Sequence, residues 1–155
     1  MRIVVVGSTP LSGQLACALA ASGDSVTVVR PDGGDLELAS ADVRVVTGDP
    51  LLVLEAAGSR RADVVVACTG SDADNLVVSL LAKRHFKVPR VLAQVNEADH
   101  AWLFEESWGV DEAVSVASLL VAAVKRAVVA TSSSDPAGGG APPGSGQQAS
   151  AGAGE

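Results

Sequence analysis

Residues 1–10 read MRIVVVGSTP, and this stretch decides the fold. An aliphatic run over residues 3–6 stops abruptly at Gly7, and an alanine-rich amphipathic segment follows over residues 11–21. The pattern is that of a buried strand, a tight turn and a helix. It is the opening of a dinucleotide-binding βαβ unit, in which a phosphate rests on free backbone N–H groups at the helix N-terminus. The glycine pattern of that turn asks for glycine at positions 7, 9 and 12. This chain has Gly7, Thr9 and Ser12, with Gly13 one place late. The fold is announced, and its usual ligand is put in question.

Outward from the turn, strand and helix patterns alternate. Strands are expected over residues 2–6, 25–29, 44–47, 63–68, 90–95 and 112–116. All but the last are compact β-branched or aliphatic runs, as in strands covered on both faces of a parallel sheet. Helices are expected over 11–21, 36–40, 51–57, 74–85, 98–106 and 117–129. Such alternation predicts an α/β fold, a Rossmann-like doubly wound parallel sheet of about six strands in a single domain. The expected strand order is 3-2-1-4-5-6, with a crevice at the carboxyl ends of strands 1 and 4.

The 155 residues, 48% of them hydrophobic, suit one domain with a sizeable core. A net charge of −7 argues against nucleic acid and anionic lipid as partners. There is no signal-peptide pattern, and no unbroken apolar run reaches about 18 residues. The expectation is a soluble cytoplasmic protein without direct membrane insertion. The chain has no tyrosine, which excludes a short-chain dehydrogenase. Cys17 and Cys68 are isolated and read as reduced, inert core residues without a metal role.

The domain is expected over residues 1–130. Residues 131–155 are Ser, Gly, Pro, Ala and Gln, too poor in large apolar side chains to offset ordering entropy, and read as a disordered tail. The sixth helix carries Leu119, Leu120, Val121, Val124, Val128 and Val129, with Lys125 and Arg126 as its only charges. A helix this apolar needs cover. Either it packs on its own sheet or it crosses to another subunit.

Five segments in register, MRIVVVG, VTGDP, VVACTGSDADNLVVSLLAKR, VLAQVNEADHAWLFEE and GVDEAVS, resemble the TrkA N-terminal domain, also called the KTN or RCK N-terminal domain. The block over residues 69–84 is the most specific. The resemblance implies a Rossmann-like regulatory module that binds NAD(H) or another adenine nucleotide and forms dimers or larger rings. It also implies signalling to a membrane potassium transporter subunit, usually without catalysis. Most members carry a C-terminal ligand-binding domain where this chain has its low-complexity tail, so a stand-alone module is expected.

The resemblance assigns cofactor-binding positions residue by residue. Gly7 matches the first glycine of the turn, and Ser8 follows it. Thr9 stands where the second glycine belongs and crowds a pyrophosphate. Pro10 replaces a frequent arginine, and it also suits the first helical turn. Ser12 replaces the third glycine and is small enough for close packing. Arg30 occupies the usual acidic ribose position. It pairs with a 2′-phosphate or, the favoured reading given the degraded turn, is a surface arginine after a lost site. Asp32 is a substitute ribose contact. Gly48 and Asp49 match a GD pair near the adenine, and Thr69 and Gly70 lie at the crevice mouth. Asp72 is expected as an N-cap, and Asn75 matches a recurrent asparagine. For both, local hydrogen bonding competes with ligand contact. Gln94 replaces an arginine, and Asn96 fits the family or ends its strand in an Asx turn.

His85 ends a helix, and His100 has acidic neighbours that raise its pKa. Neither is paired with a nucleophile. Lys83, Arg84, Lys87 and Arg90 read as a solvated face. Trp102 and Phe104 lie two apart, so one of them faces out. The leading reading is a regulatory, nucleotide-sensing subunit of a potassium uptake system. The alternative is a nucleotide-free Rossmann-like interaction or oligomerisation module pairing with a homologous subunit; the partners expected are a homo-oligomer or a homologous TrkA-type subunit. A nicotinamide-dependent enzyme ranks low, because no acid–base pair stands near the crevice motifs.

Overall fold

The structure, a computed structural model, describes residues 1–33 and 42–133. Six strands form one parallel sheet: β1 (Arg2–Val6), β2 (Ser25–Arg30), β3 (Arg44–Thr47), β4 (Val64–Ala67), β5 (Arg90–Gln94) and β6 (Glu112–Val114). The order is β3-β2-β1-β4-β5-β6, as the alternation predicts. Among the described residues four α-helices accompany it: α1 (Pro10–Ala21), α2 (Pro50–Ala56), α3 (Asp72–Leu80) and α4 (Val116–Ser133). The expected helix over 36–40 and the tail beyond residue 133 lie outside the described residues.

Strands β1, β2 and β4 form the centre of the sheet. Val5, Val6, Val28, Val29 and Val65 are fully buried there, because each face carries helices or neighbouring side chains. One core cluster joins Val4, Val29, Leu54, Val65, Val78 and Phe86 on the α2–α3 face. The other joins Ile3, Val5, Ala16, Val28 and Cys68 under α1. Edge strand β3 departs from the two-sided burial expected of it: Val45 is 39% exposed. Cys17 is half-buried, not a core residue.

Two helices differ from their expected form. α3 gives way to a π-helical turn at Leu81–His85. Residues 98–106 make no α-helix and form 3-10 turns at Ala98–Leu103 and Glu106–Trp108. Trp102 is exposed there and Phe104 is buried, so one of the pair does face out.

The sixth helix settles one open alternative. None of α4 is buried, and Leu119, Leu120, Val121, Val124, Val128 and Val129 all face solvent. It does not pack on its own sheet. The helix also runs on to Ser133, three residues into the expected tail. Beside its start lies an apolar groove of about 360 Å³, lined by Leu11, Leu15 and Leu19 of α1 and by Val66, Leu92 and Val116. By length and composition α4 is also long and apolar enough to cross a membrane, with a mean hydropathy of 1.5. It is not an unbroken apolar run, because Lys125 and Arg126 interrupt its middle.

Candidate nucleotide crevice

The strand order reverses between β1 and β4, and the two turns there approach closely. Gly7 N–H donates to the Val29 carbonyl and Cys68 N–H to the Val6 carbonyl, each at 2.9 Å. A Cβ on Gly7 would overlap the Cys68 carbonyl oxygen and lie 3.1 Å from Ser12 Cβ. Glycine is therefore required here by packing alone, whatever the ligand.

The head of α1 is partly satisfied from within. Thr9 is its N-cap, with Oγ1 accepting from Ser12 N–H at 3.3 Å. Gly13 N–H reaches the Thr9 carbonyl at 3.3 Å, and Pro10 has no N–H to offer. Ser12 is completely buried, and its Oγ donates to the Thr9 carbonyl at 2.7 Å. It thus fills the place of the third glycine without disturbing the packing. Ser8 differs from its neighbours. Its Oγ is buried without a hydrogen-bond partner among the described residues, an uncompensated cost that an incoming acceptor would relieve.

The ends of β2 and β3 bring the next group together. Arg30 is 9% exposed, which corrects the expectation of a surface arginine. It is the last residue of a buried central strand and not part of the loop that follows. Its carbonyl accepts from Gly33 N–H and Gly48 N–H, both at 3.4 Å, which ties Gly48 to the end of β2. Asp49 caps α2, with Oδ1 accepting from Leu51 N–H at 3.0 Å. That bond commits the carboxylate to structure. Asp32 lies exposed in the turn after β2.

Beyond β4 a polar network holds the rim. Asn75 is fully buried. Its Oδ1 accepts from Thr69 N–H and Thr69 Oγ1–H, both at 2.8 Å, and its Nδ2 donates to the Gln94 carbonyl at 2.9 Å. Local hydrogen bonding thus accounts for this asparagine. Ser71, not Asp72, caps α3. Asp72 sits one residue in and is 8% exposed, where its carboxylate reaches across to the end of β5. It accepts from Asn96 N–H at 2.7 Å, Glu97 N–H at 3.0 Å and Asn96 Nδ2–H at 2.9 Å. Burial pushes its pKa up, but these bonds and the nearby His100 outweigh burial and hold it below the ordinary value. Asn96 also donates to the Thr69 carbonyl at 3.1 Å, so it braces the rim and does not close an Asx turn. Gln94 Nε2 donates to Asn96 Oδ1 at 2.9 Å.

The assigned positions therefore form one line along the carboxyl ends of β3, β2, β1 and β4. Gly7, Ser8, Thr9, Ser12, Thr69, Gly70 and Asn75 lie on the β1–β4 side, with Arg30, Asp32, Gly48 and Asp49 toward β3. The Asp72–Asn96–His100 linkage left little sign in the sequence, because Asp72 lies 24 residues before Asn96 and 28 before His100. The run of Asp and Asn after two successive strands is the only signal. Among the described residues, no three His, Cys, Asp or Glu side chains gather to hold a metal.

The model of the TrkA-N domain family matches residues 3–116. The Trk system potassium uptake protein TrkA of Mycobacterium tuberculosis (strain CDC 1551 / Oshkosh) is 37% identical over 128 residues, covering 81% of this chain and 58% of that protein. The chain thus spans little more than half the length of this curated relative. Among solved structures, GsuK bound to ADP superposes with a TM-score of 0.71 at 21% identity, over 84% of this chain and 34% of that one. The GsuK channel bound to NAD gives a TM-score of 0.61 at 25% identity, over 73% of this chain and 21% of that one.

Proposed function

The chain belongs to the TrkA-N domain family, and on that premise we propose that it is a cytoplasmic regulatory subunit of a potassium uptake system. In this reading it takes an adenine nucleotide at the carboxyl edge of its sheet and is tied to the membrane through a protein partner. The observation that carries the nucleotide part is Ser8 Oγ, a buried hydroxyl without a partner among the described residues, at the turn where the fold receives phosphate. Ser8 would donate to the phosphate, and buried Arg30 would lend positive charge at the ribose end. The ligand supplies differential affinity between assembly states, and the protein's work is to convert that into contact with its partner. The module is read as non-catalytic.

Assembly enters through α4. Each copy carries an uncovered apolar helix and an uncovered apolar groove beside it, so a second copy or a homologous subunit answers both needs. Insertion in a bilayer is the less favourable use of the helix. Lys125 and Arg126 at its middle would each cost about 2.5–3.5 kcal/mol there.

The test is potassium uptake at limiting external potassium, in cells lacking the gene. Uptake should fall and return with the wild-type chain. Unchanged uptake would remove the transport reading. A second reading, an interaction module without nucleotide, is favoured by Thr9 capping α1 in place of a phosphate. It predicts dimerisation and partner binding with no response to any adenine nucleotide.

A further inference from the structure

The turn after β1 also limits which nucleotide fits, a point that rests on the adenine-nucleotide reading above. Thr9 bridges the gap where the strand order reverses. Its Oγ1 accepts from Ser12 N–H and donates to the Cys68 carbonyl at 3.4 Å, so one side chain spans the turns that end β1 and β4. Its methyl stands close to Gly70 on the far rim, since a Cβ there would lie 3.9 Å from Thr9 Cγ2. The helix head behind it is partly spent: Ser12 and Gly13 N–H groups are engaged by Thr9, and Pro10 has none. What remains for an anion is the Ser8 hydroxyl, with the Ser8, Thr9 and Leu11 N–H groups, which meet no backbone acceptor among the described residues.

A dinucleotide lays its pyrophosphate across this reversal, with one nucleoside over each half of the sheet. A mononucleotide needs only the β1–β2–β3 half. We infer that the crevice takes an adenosine mononucleotide with its phosphate at Ser8, and that Thr9 is the specificity-determining residue that turns dinucleotides away. The obstruction is steric as well as electronic. The side chain stands in the path, and it also holds donors that a second phosphate would need.

The experiment is calorimetric titration of the full chain with AMP and with NADH, on wild type, Thr9→Gly and Thr9→Val. Glycine is a tolerated N-cap, so Thr9→Gly should fold, and circular dichroism checks it. Wild type should bind AMP at least about tenfold more tightly than NADH, the effect of one obstructed or unpaired group. Thr9→Gly should bring the two ligands within about threefold of each other, a difference below 1 kcal/mol. Thr9→Val keeps the bulk and should keep the discrimination. Equal affinity of the wild type for both ligands, or an unchanged ratio in Thr9→Gly, overturns the role of Thr9 and leaves the nucleotide reading standing. Loss of discrimination in Thr9→Val overturns the steric part of the inference. No binding of either ligand to any variant at millimolar concentration overturns this inference together with the reading it rests on.

Discussion

His100 Nδ1 stands 2.9 Å from Oδ2 of Asp72, across the gap between the end of β5 and the start of α3. The contact fastens the 3-10 turn after β5 to the rim of the crevice. The hydrogen bond to Asp72 raises the His100 pKa, desolvation works against it, and Glu97, Asp72 and Asp99 add attraction. A histidine whose folded pKa is raised contributes stability that is fully present below its unfolded pKa of about 6.5 and lost as pH rises through the folded value. Urea unfolding should therefore show stability falling as pH rises above about 6.5, by a small amount because the imidazole is partly exposed. His100→Gln should flatten that part of the profile. A wild-type profile already flat there would contradict the clamp.

Asn75 is the keystone of the same rim. Replacing it with alanine takes the acceptor from the buried Thr69 N–H and the side-chain donor from the Gln94 carbonyl. Asn75→Ala should lose about 2–4 kcal/mol, as expected for a broken buried network. Equilibrium denaturation measures it, and a loss below about 0.5 kcal/mol, the range of a surface change, would show that the network matters little.

Gly7 offers a second stability test. Alanine would press its Cβ into the Cys68 carbonyl, so β1 and β4 must part. Gly7→Ala should cost about 2 kcal/mol or more, the scale of an overpacked site, and should lower the melting temperature without any ligand. A neutral result would mean that the two turns can separate freely.

The strand order was legible because hydrophobic runs of four to six residues, cut by Gly and Asp, have one economical arrangement as a parallel sheet. The turn at Gly7 was legible for the same reason. Less so were features that depend on partners distant in sequence. Arg30 looks like a loop residue beside Pro31 and Asp32, yet it belongs to the buried end of β2. Asp72 looks like a cap, yet Ser71 takes that role because its hydroxyl reaches Asp74 N–H, freeing Asp72 to cross to Asn96. Residues 98–106 carry helical spacing, but Asp72 binds the Asn96 and Glu97 N–H groups and holds the segment in 3-10 turns. The α4 pattern shows a need for cover without naming what provides it.

Assembly should follow from α4 and its groove. Light scattering after size exclusion should give a dimer or larger species at micromolar concentration. Leu120→Asp on the helix and Leu15→Asp in the groove should each shift it to monomer. A buried leucine contributes about 1.5–3 kcal/mol, and each change also strands a charge. A wild-type monomer, or oligomers indifferent to both changes, would contradict this use of the helix.

The most direct measurement is the amide NMR spectrum of the ¹⁵N-labelled chain titrated with AMP. The account predicts saturable shifts centred on Ser8 and Thr9, extending to Arg30, Gly48, Thr69 and Gly70, with the far ends of the strands unmoved. A spectrum unchanged at millimolar AMP, or shifts gathered away from the β1 turn, would contradict it.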